Sequence, residues 1–280
     1  MTDQTFLSRA RANASFLWGA ALVGLVIFAA ALSTAWTPYP PDAIDIPHKL
    51  LPPSWGHWLG TDQLGRDVAS QLLAGARVSI LVGVIAVGIG VVFGVALGLV
   101  AASSKGLAED AIMRLSDFAF AFPALLLAIM FTAIFGPGVV NAIIAIGIFN
   151  VPVFAKVTRA AANGVLTREY ILAARAAGKG PVAIAFEHVL PNIASTLIVQ
   201  ATIQFAIAVL AEVALSYLGL GAQPPVASWG RMLSDAQRLL FQAPRLAVFP
   251  GVAVMLAVLG LNLLGDGLRD LLDPRLRARR

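Results

Sequence analysis

The sequence predicts an all-α integral membrane protein, and two observations carry that expectation. Hydrophobic residues fill 59% of the 280 positions and charged residues only 12%, about half the charge of a soluble domain. A water-facing surface needs charge and a lipid-facing one excludes it, so much of this surface is expected to meet lipid. The apolar residues also gather into six long stretches, with the basic residues between them. The net charge of +5 is therefore spread along the chain, with no patch of the kind that recruits nucleic acid. Without Cys, the chain can hold neither a disulfide nor a thiolate metal site.

A helix that crosses the ~30 Å hydrocarbon layer needs roughly 20 mostly apolar residues. Phe16–Trp36, Val78–Ala102, Phe118–Phe135 (its span drawn from residue 116), Val139–Ala155, Ile193–Gly219 and Leu246–Leu264 qualify or nearly so. The third and fourth are short and are separated only by Gly136-Pro137-Gly138. Pro removes a backbone donor there and Gly admits positive φ, so the tripeptide reads as the turn of a helical hairpin. A single long, kinked helix is the alternative. Arg9 and Arg11 precede the first run and the small Ala31 and Ala35 lie near its end, as in a cleaved signal. Its apolar length of about 20 exceeds the ~7–15 of a signal core, so an uncleaved anchor is expected.

Basic residues near span ends stay on the cytoplasmic side. With the N-terminus inside, the inner segments hold Arg9, Arg11, Lys105, Arg114, Lys156, Arg159, Arg168, Arg175, Lys179, Arg269, Arg275, Arg277, Arg279 and Arg280. The outer segments hold Lys49, Arg66, Arg77, Arg231, Arg238 and Arg245. Fourteen against six puts both termini in the cytoplasm. Three loop segments follow. The outer loop Thr37–Arg77 is rich in proline and is expected to be irregular or short-helical and to lie on the membrane surface. A second outer loop runs from Leu220 to Arg245, and the largest inner segment from Lys156 to Asn192.

Within the second span, Gly90, Gly94 and Gly98 recur every four residues and line one helix face, which lets another backbone approach closely. Packing inside the subunit and a seam between subunits are both open. Glu212 is the one acid inside an apolar run. An intramembrane carboxyl is costly and often functional, but nineteen residues above Ile193 it sits about 28 Å up the helix, near the outer interface. A locally paired, structural Glu212 is expected. Asn141, Asn150, Gln200, Gln204 and Asn262 read as interhelical hydrogen-bonding residues or as the lining of a polar path. No relay of ionisable groups crosses the membrane, which argues against an ion-coupled carrier.

Signs of catalysis are missing from the sequence. The nearest approach to a phosphate-binding P-loop is Gly178-Lys179, but Ala173 stands where the first glycine belongs and Gly180 where a hydroxyl belongs. Any ATP is therefore expected to be hydrolysed by another chain. GxGxxG, GxSxG and HExxH do not occur, and His48, His57 and His188 read as scattered loop residues.

The inner segment Arg168–Asn192 is the most informative. Tyr170, Ala173, Ala174 and Ala177 have the spacing of one helix face, with side chains small enough for close docking. Gly178 is a helix stop, Pro181 a helix start, and Pro191 is expected to end a second short helix before the next span. The Ala173-Ala174 pair, Gly178 four residues on, and Leu190-Pro191 resemble the cytoplasmic EAA loop of bacterial ABC importer permeases. The acid that names the motif is replaced by Leu172, and Glu169 lies three residues earlier. Gly60–Ile80, Glu212–Gly230 and the tail Gly265–Arg277 are similar to the C-type permease subunit of dipeptide, oligopeptide and nickel importers.

That resemblance implies six transmembrane helices with short cytoplasmic coupling helices, arranged as a cytoplasmic N-terminus (1–15), a permease domain (16–265, with the coupling loop at 156–192) and a cytoplasmic tail (266–280). It implies a multi-pass protein of the bacterial inner membrane that pairs with a B-type permease, two ATP-binding subunits and an extracytoplasmic substrate-binding protein. It places ATP and Mg on the partner subunits, with no cofactor on this chain. The residues expected to dock on the ATPase are Arg168, Glu169, Tyr170, Ala173, Ala174, Arg175, Ala177, Gly178, Lys179, Leu190 and Pro191. Cysteine-accessibility mapping on this Cys-free chain tests the charge count. Gly180→Cys should react only from the cytoplasm and Ser54→Cys only from outside; external labelling of Gly180→Cys in intact cells overturns the orientation.

Overall fold

The computed structural model describes residues 6–104 and 106–272. Lys105 and the basic tail from Arg275 onward, used in the charge count above, lie outside the described residues. After α1 (Phe6–Ala12) comes α2 (Ala14–Ala35), started by the Asn13 side chain, which accepts from Phe16 N at 2.8 Å. A long connection follows, containing one 3₁₀ turn at Ile46–His48. Next come α3 (Val68–Ile89), a π-turn at Gly90–Gly94 and α4 (Val95–Ser104), which together form one apolar helix of 37 residues. Then α5 (Leu107–Phe120), α6 (Ala124–Phe135) and α7 (Val139–Leu166) follow in turn. Beyond them lie α8 (Glu169–Ala176), α9 (Pro181–Ile184), a π-turn at Ala185–Val189 and α10 (Leu190–Tyr217). The chain closes with α11 (Trp229–Ala236) and α12 (Arg245–Leu272).

Among the described residues five helices are long and apolar enough to cross a membrane, and the bent pair α5–α6 supplies a sixth crossing if counted as one span. No β-strand occurs among the described residues, where Thr61 and Asp67 form one isolated bridge. The 37-residue helix extends the second expected span by ten residues at its start, because Asp67 caps α3 by accepting from Ser70 N at 2.8 Å. The third expected span is not one helix. It breaks at residues 121–123 with a bend of 86°, where Pro123 lacks a donor and pushes Phe122 out of the helical region. The hairpin at Gly136-Pro137-Gly138 forms as read, with φ of +95° and +151° at its two glycines.

The second inner helix also differs from expectation. Pro191 does not end it: α9, the π-turn and α10 run as one helix of 37 residues from Pro181 to Tyr217. The wide π-turn, closed by Leu190 N–H to Ala185 O, places Pro191 in the first turn that follows it, where a missing donor costs least.

Two apolar cores result. One joins α3, α4, α7, α8 and α10 around Val82, Phe154, Ile171 and Ile193; the other joins α2, α3, α10, α11 and α12 around Val209, Trp229 and Leu261. The glycine row packs within the subunit. A Cβ on Gly90 would lie 2.5 Å from Asn150 Cβ, one on Gly94 2.5 Å from Val151 O, and one on Gly98 2.5 Å from Ala155 O. All three contacts fall on α7, and backbone cannot yield as a side-chain end can. Gly94→Ala should therefore destabilise the protein by about 1–3 kcal/mol. Gly88→Ala, with open space around it, should be neutral. Thermal unfolding of both purified variants checks the pair, and equal stability would remove the seam from the fold's determinants.

Candidate functional site

The bundle has two differentiated ends. The end that carries α1 and α8 is here the tip end; the end formed by residues 36–67 and 218–244 is the cap end.

At the tip, α8 is the element that the sequence reading singled out. Arg168 precedes it with extended backbone (φ −76°, ψ 147°), and Glu169 places a negative charge in the first turn, where the helix dipole favours it. The helix closes as the sequence expects. Gly178 adopts φ +84°, Gly178 N bonds Arg175 O at 2.9 Å, and Lys179 N bonds Ala174 O at 3.1 Å. This pair of bonds is a Schellman closure, which a β-branched residue resists at the Gly178 position. Lys179 Nζ then ion-pairs with Glu187, which clips the tip to the helix that follows.

The face of α8 is split differently from the sequence reading. Ile171 (0%) and Ala174 (9%) turn inward onto the chain's own core. Tyr170, Leu172, Ala173, Arg175 and Ala177 are exposed, so of the four residues expected to share one docking face, Tyr170, Ala173, Ala174 and Ala177, Ala174 belongs to internal packing. Across the connection, Val182 and Phe186 are exposed as well. Leu190 is half-buried and Pro191 exposed, both within the continuous helix rather than at a loop end. The sequence marks this outward surface only through large apolar residues at Leu172, Val182 and Phe186, which lie off the Ala-rich stripe.

Cationic groups on α7 meet acids on α5. Arg159 Nε donates to Glu109 Oε1 at 2.7 Å, and Lys156 pairs with Asp117 and sits 4.5 Å from the Phe120 ring centroid. Towards the cap, Glu212 is 1% exposed and is satisfied locally. Ser216 Oγ donates to its Oε1 at 2.7 Å and Ser79 Oγ to its Oε2 at 3.2 Å. Ala222 N in turn donates to Ser216 Oγ at 2.9 Å. The carboxyl thus ties α3 to α10 and to the loop leaving α10.

The cap itself is a polar network that periodicity gives no hint of. Arg66 donates to Asp62 Oδ2 at 2.7 Å and to Asp235 Oδ2 at 3.2 Å, and Gln71 Nε2 donates to Asp62 Oδ2 at 3.0 Å. Arg245 Nη2 donates to Leu50 O and Leu51 O at 2.9 and 3.0 Å, and Trp229 Nε1 to Leu72 O at 3.0 Å. Both cap loops are therefore locked to each other and to α3. His57 Nδ1 lies 2.9 Å from Asp67 Oδ1 and His48 Nδ1 2.8 Å from Asp45 Oδ2, whereas His188 sits on a helix and not in a loop. Among the described residues no three His, Cys, Asp or Glu side chains gather as metal ligands.

The described residues thus form a helical membrane bundle with a locked cap at one end and an exposed apolar tip at the other. Residues 94–278 match the family described as binding-protein-dependent transport system inner membrane component, and the chain belongs to that family. It is accordingly a multi-pass protein of the inner membrane. It is 44% identical over 271 residues to a di/tripeptide transport system permease protein of Pseudomonas aeruginosa, covering 95% of this chain and 89% of that protein. It is 46% identical over 231 residues to a dipeptide transport system permease protein of Alkalihalophilus pseudofirmus (82% and 76% of the two chains). Identity to a glutathione transport system permease protein of Pectobacterium atrosepticum is 44% over 226 residues (81% and 75%).

Substitution at Glu212 separates a structural carboxyl from a proton carrier. Glu212→Gln keeps the shape and an acceptor for the hydroxyls, so assembly and uptake should persist and remain independent of the proton gradient. Glu212→Ala strands buried hydroxyls at about 1–3 kcal/mol each and should lower folded yield. Uptake lost in a fully assembled Glu212→Gln variant would assign Glu212 to transport itself.

Proposed function

We propose that this chain is one of two related permease subunits of an ATP-driven importer of short peptides. A B-type permease is its partner in the membrane, two ATP-binding subunits attach at the tip end, and an extracytoplasmic binding protein delivers substrate at the cap end. ATP and Mg belong to the ATP-binding subunits, and this chain holds no cofactor. The tip faces the cytoplasm together with both termini, in keeping with the excess of Lys and Arg on that side. The peptide class rests on the relatives, which are named for di/tripeptides, dipeptides and glutathione, itself a tripeptide.

One observation carries the coupling assignment: an apolar surface displayed where no lipid is expected. Lys156 and Arg159 mark the end of the apolar part of α7, which continues to Leu166 before α8 begins. At about 1.5 Å per residue, α8 stands about 10 Å beyond Arg159. Tyr170, Leu172, Val182 and Phe186 are exposed there, among the charges of Arg168, Glu169, Arg175, Lys179 and Glu187. An apolar centre with a charged rim is the composition of a protein docking patch. The same tip is rooted in the bundle by Ile171 and continues into a 37-residue helix that ends close to the cap. A push on the tip by closing ATP-binding subunits thus reaches the opposite membrane face along one rigid element, without any covalent chemistry on this chain.

Substitutions on the outward side of α8 should uncouple transport while sparing the fold. Ala177→Trp and Gly178→Val should leave membrane insertion intact and abolish the stimulation of ATP hydrolysis by loaded binding protein. Ala174→Trp, which points into the core, should lower the folded yield instead. The measurement is ATP hydrolysis by the reconstituted complex with and without binding protein. Full stimulation in both outward variants would reduce this segment to a connector.

A further inference from the structure

The cap carries an aromatic group that neither the latch nor the coupling tip uses. Trp36 ends α2, and Trp58 lies against it with ring centroids 6.2 Å apart. Trp55, three residues earlier, is 98% exposed. The segment that holds these rings is not loose. Tyr39 Oη donates to Gly56 O at 2.8 Å, Tyr39 N to Ser70 Oγ at 3.0 Å, and Ser54 N to His57 O at 2.8 Å. The Tyr39 and His57 rings pack at 4.6 Å, and His57 is held by Asp67, the residue that caps α3. Residues 54–58 are thus strapped to the cap-end termini of two spanning helices, and their height relative to the membrane is set by those helices.

That height is readable from α2. Trp18 and Trp36 are both exposed and are eighteen residues apart, which is about five turns and about 27 Å of axis. Their Cα atoms therefore lie on one side of the helix, about one hydrocarbon thickness apart, with exposed Leu25 between them on that side. Trp at each end of an apolar, lipid-facing row is the pattern of the interfacial belts, where an apolar ring with one N–H donor suits the headgroup level. Trp36 marks that level at the cap end, Trp58 packs against it, and Trp55 lies three residues away on the same strapped segment. From Leu50 to Gly60 the chain has no Asp, Glu, Lys or Arg. A charge-free aromatic surface continuous with a lipid-facing helix suits the headgroup zone better than a protein partner, whose docking is steered and registered by charge.

We propose that Trp36, Trp55 and Trp58 form an interfacial lipid anchor, with the Trp55 ring seated among phospholipid headgroups beside α2. The anchor holds the cap against the membrane surface, so the cap loops follow α2 and α3. This inference requires only that the chain spans a membrane, and it stands or falls independently of the peptide and coupling assignments.

The test uses the assembled transporter in phospholipid nanodiscs with Trp55→Cys carrying a nitroxide label. The chain has no other Cys, and a side chain this exposed is not needed for folding. The ratio of relaxation by oxygen to relaxation by a water-soluble nickel chelate should be several-fold higher than for a label at the exposed, charged cap position Asp42→Cys, and the pattern should not change when loaded binding protein is added. A ratio equal to that at Asp42→Cys overturns the proposal. A label that is open to the chelate alone but shielded once binding protein is added also overturns it, and assigns the rings to protein docking.

Discussion

The contact on which the rest of the structure depends is the approach of α7 to the π-turn and α4. Lipid offers no hydrophobic drive between helices, so association rests on close packing. Gly90, Gly94 and Gly98 bring the two backbones together along two turns of helix, and any Cβ there would strike α7 at 2.5 Å. The π-turn at Gly90–Gly94 sits on the same stretch. With α7 fixed in this way, its far end presents Lys156 and Arg159 to the acids of α5 and carries α8 at its tip. One small-residue seam therefore positions both the broken helix pair and the tip helix α8.

Backbone hydrogen bonding is the second constraint, and it determines where irregularity is allowed. Within hydrocarbon an unpaired N–H or C=O costs several kcal/mol, so spans stay helical unless protein or water meets the break. The π-turns at Gly90–Gly94 and Ala185–Val189 satisfy this by widening a turn without opening it. The interruption at residues 121–123 is different in kind, because it ends one helix and starts another across an 86° bend. Buried side-chain polarity is handled in the same way: Glu212 is tolerable because hydroxyls from two helices converge on it, and in doing so they bind α3 to α10.

Much of this was legible in the sequence, and the failures have physical causes. Five of the six expected spans, the glycine hairpin, the Gly178 closure, the Pro181 start and the local pairing of Glu212 all follow from apolar length, positive φ and burial cost. The ends of the long helices do not. Asp67 starts α3 ten residues before its apolar run, since a cap acts locally while hydropathy is averaged over a window. Pro123 breaks a run whose composition is uniformly apolar, whereas Pro191 does not, because a π-turn precedes it. The inward turn of Ala174 is not legible because alanine favours no side: Ile171, three residues away, anchors the inward face and takes Ala174 with it. The Asp62–Arg66–Asp235 latch joins residues far apart in the chain, and no periodicity carries such a pairing.

Under the proposed coupling, these features let an apparent connector carry force. A loop transmits displacement poorly because its backbone torsions absorb it. Here the flexible joint is confined to Ala177–Gly180, and even that is closed by two backbone hydrogen bonds and by the ion pair of Lys179 with Glu187. On one side of the joint, α8 is pinned by Ile171 to the core built on the glycine seam. On the other, Pro181 opens a helix that runs unbroken through Glu212, whose hydroxyl partners lead directly to the loop entering the cap. A displacement of α8 therefore has few soft coordinates in which to dissipate. Under the proposed coupling it passes into the long helix, which packs against α7 and α3 and is tied to α3 through Ser79 and Glu212.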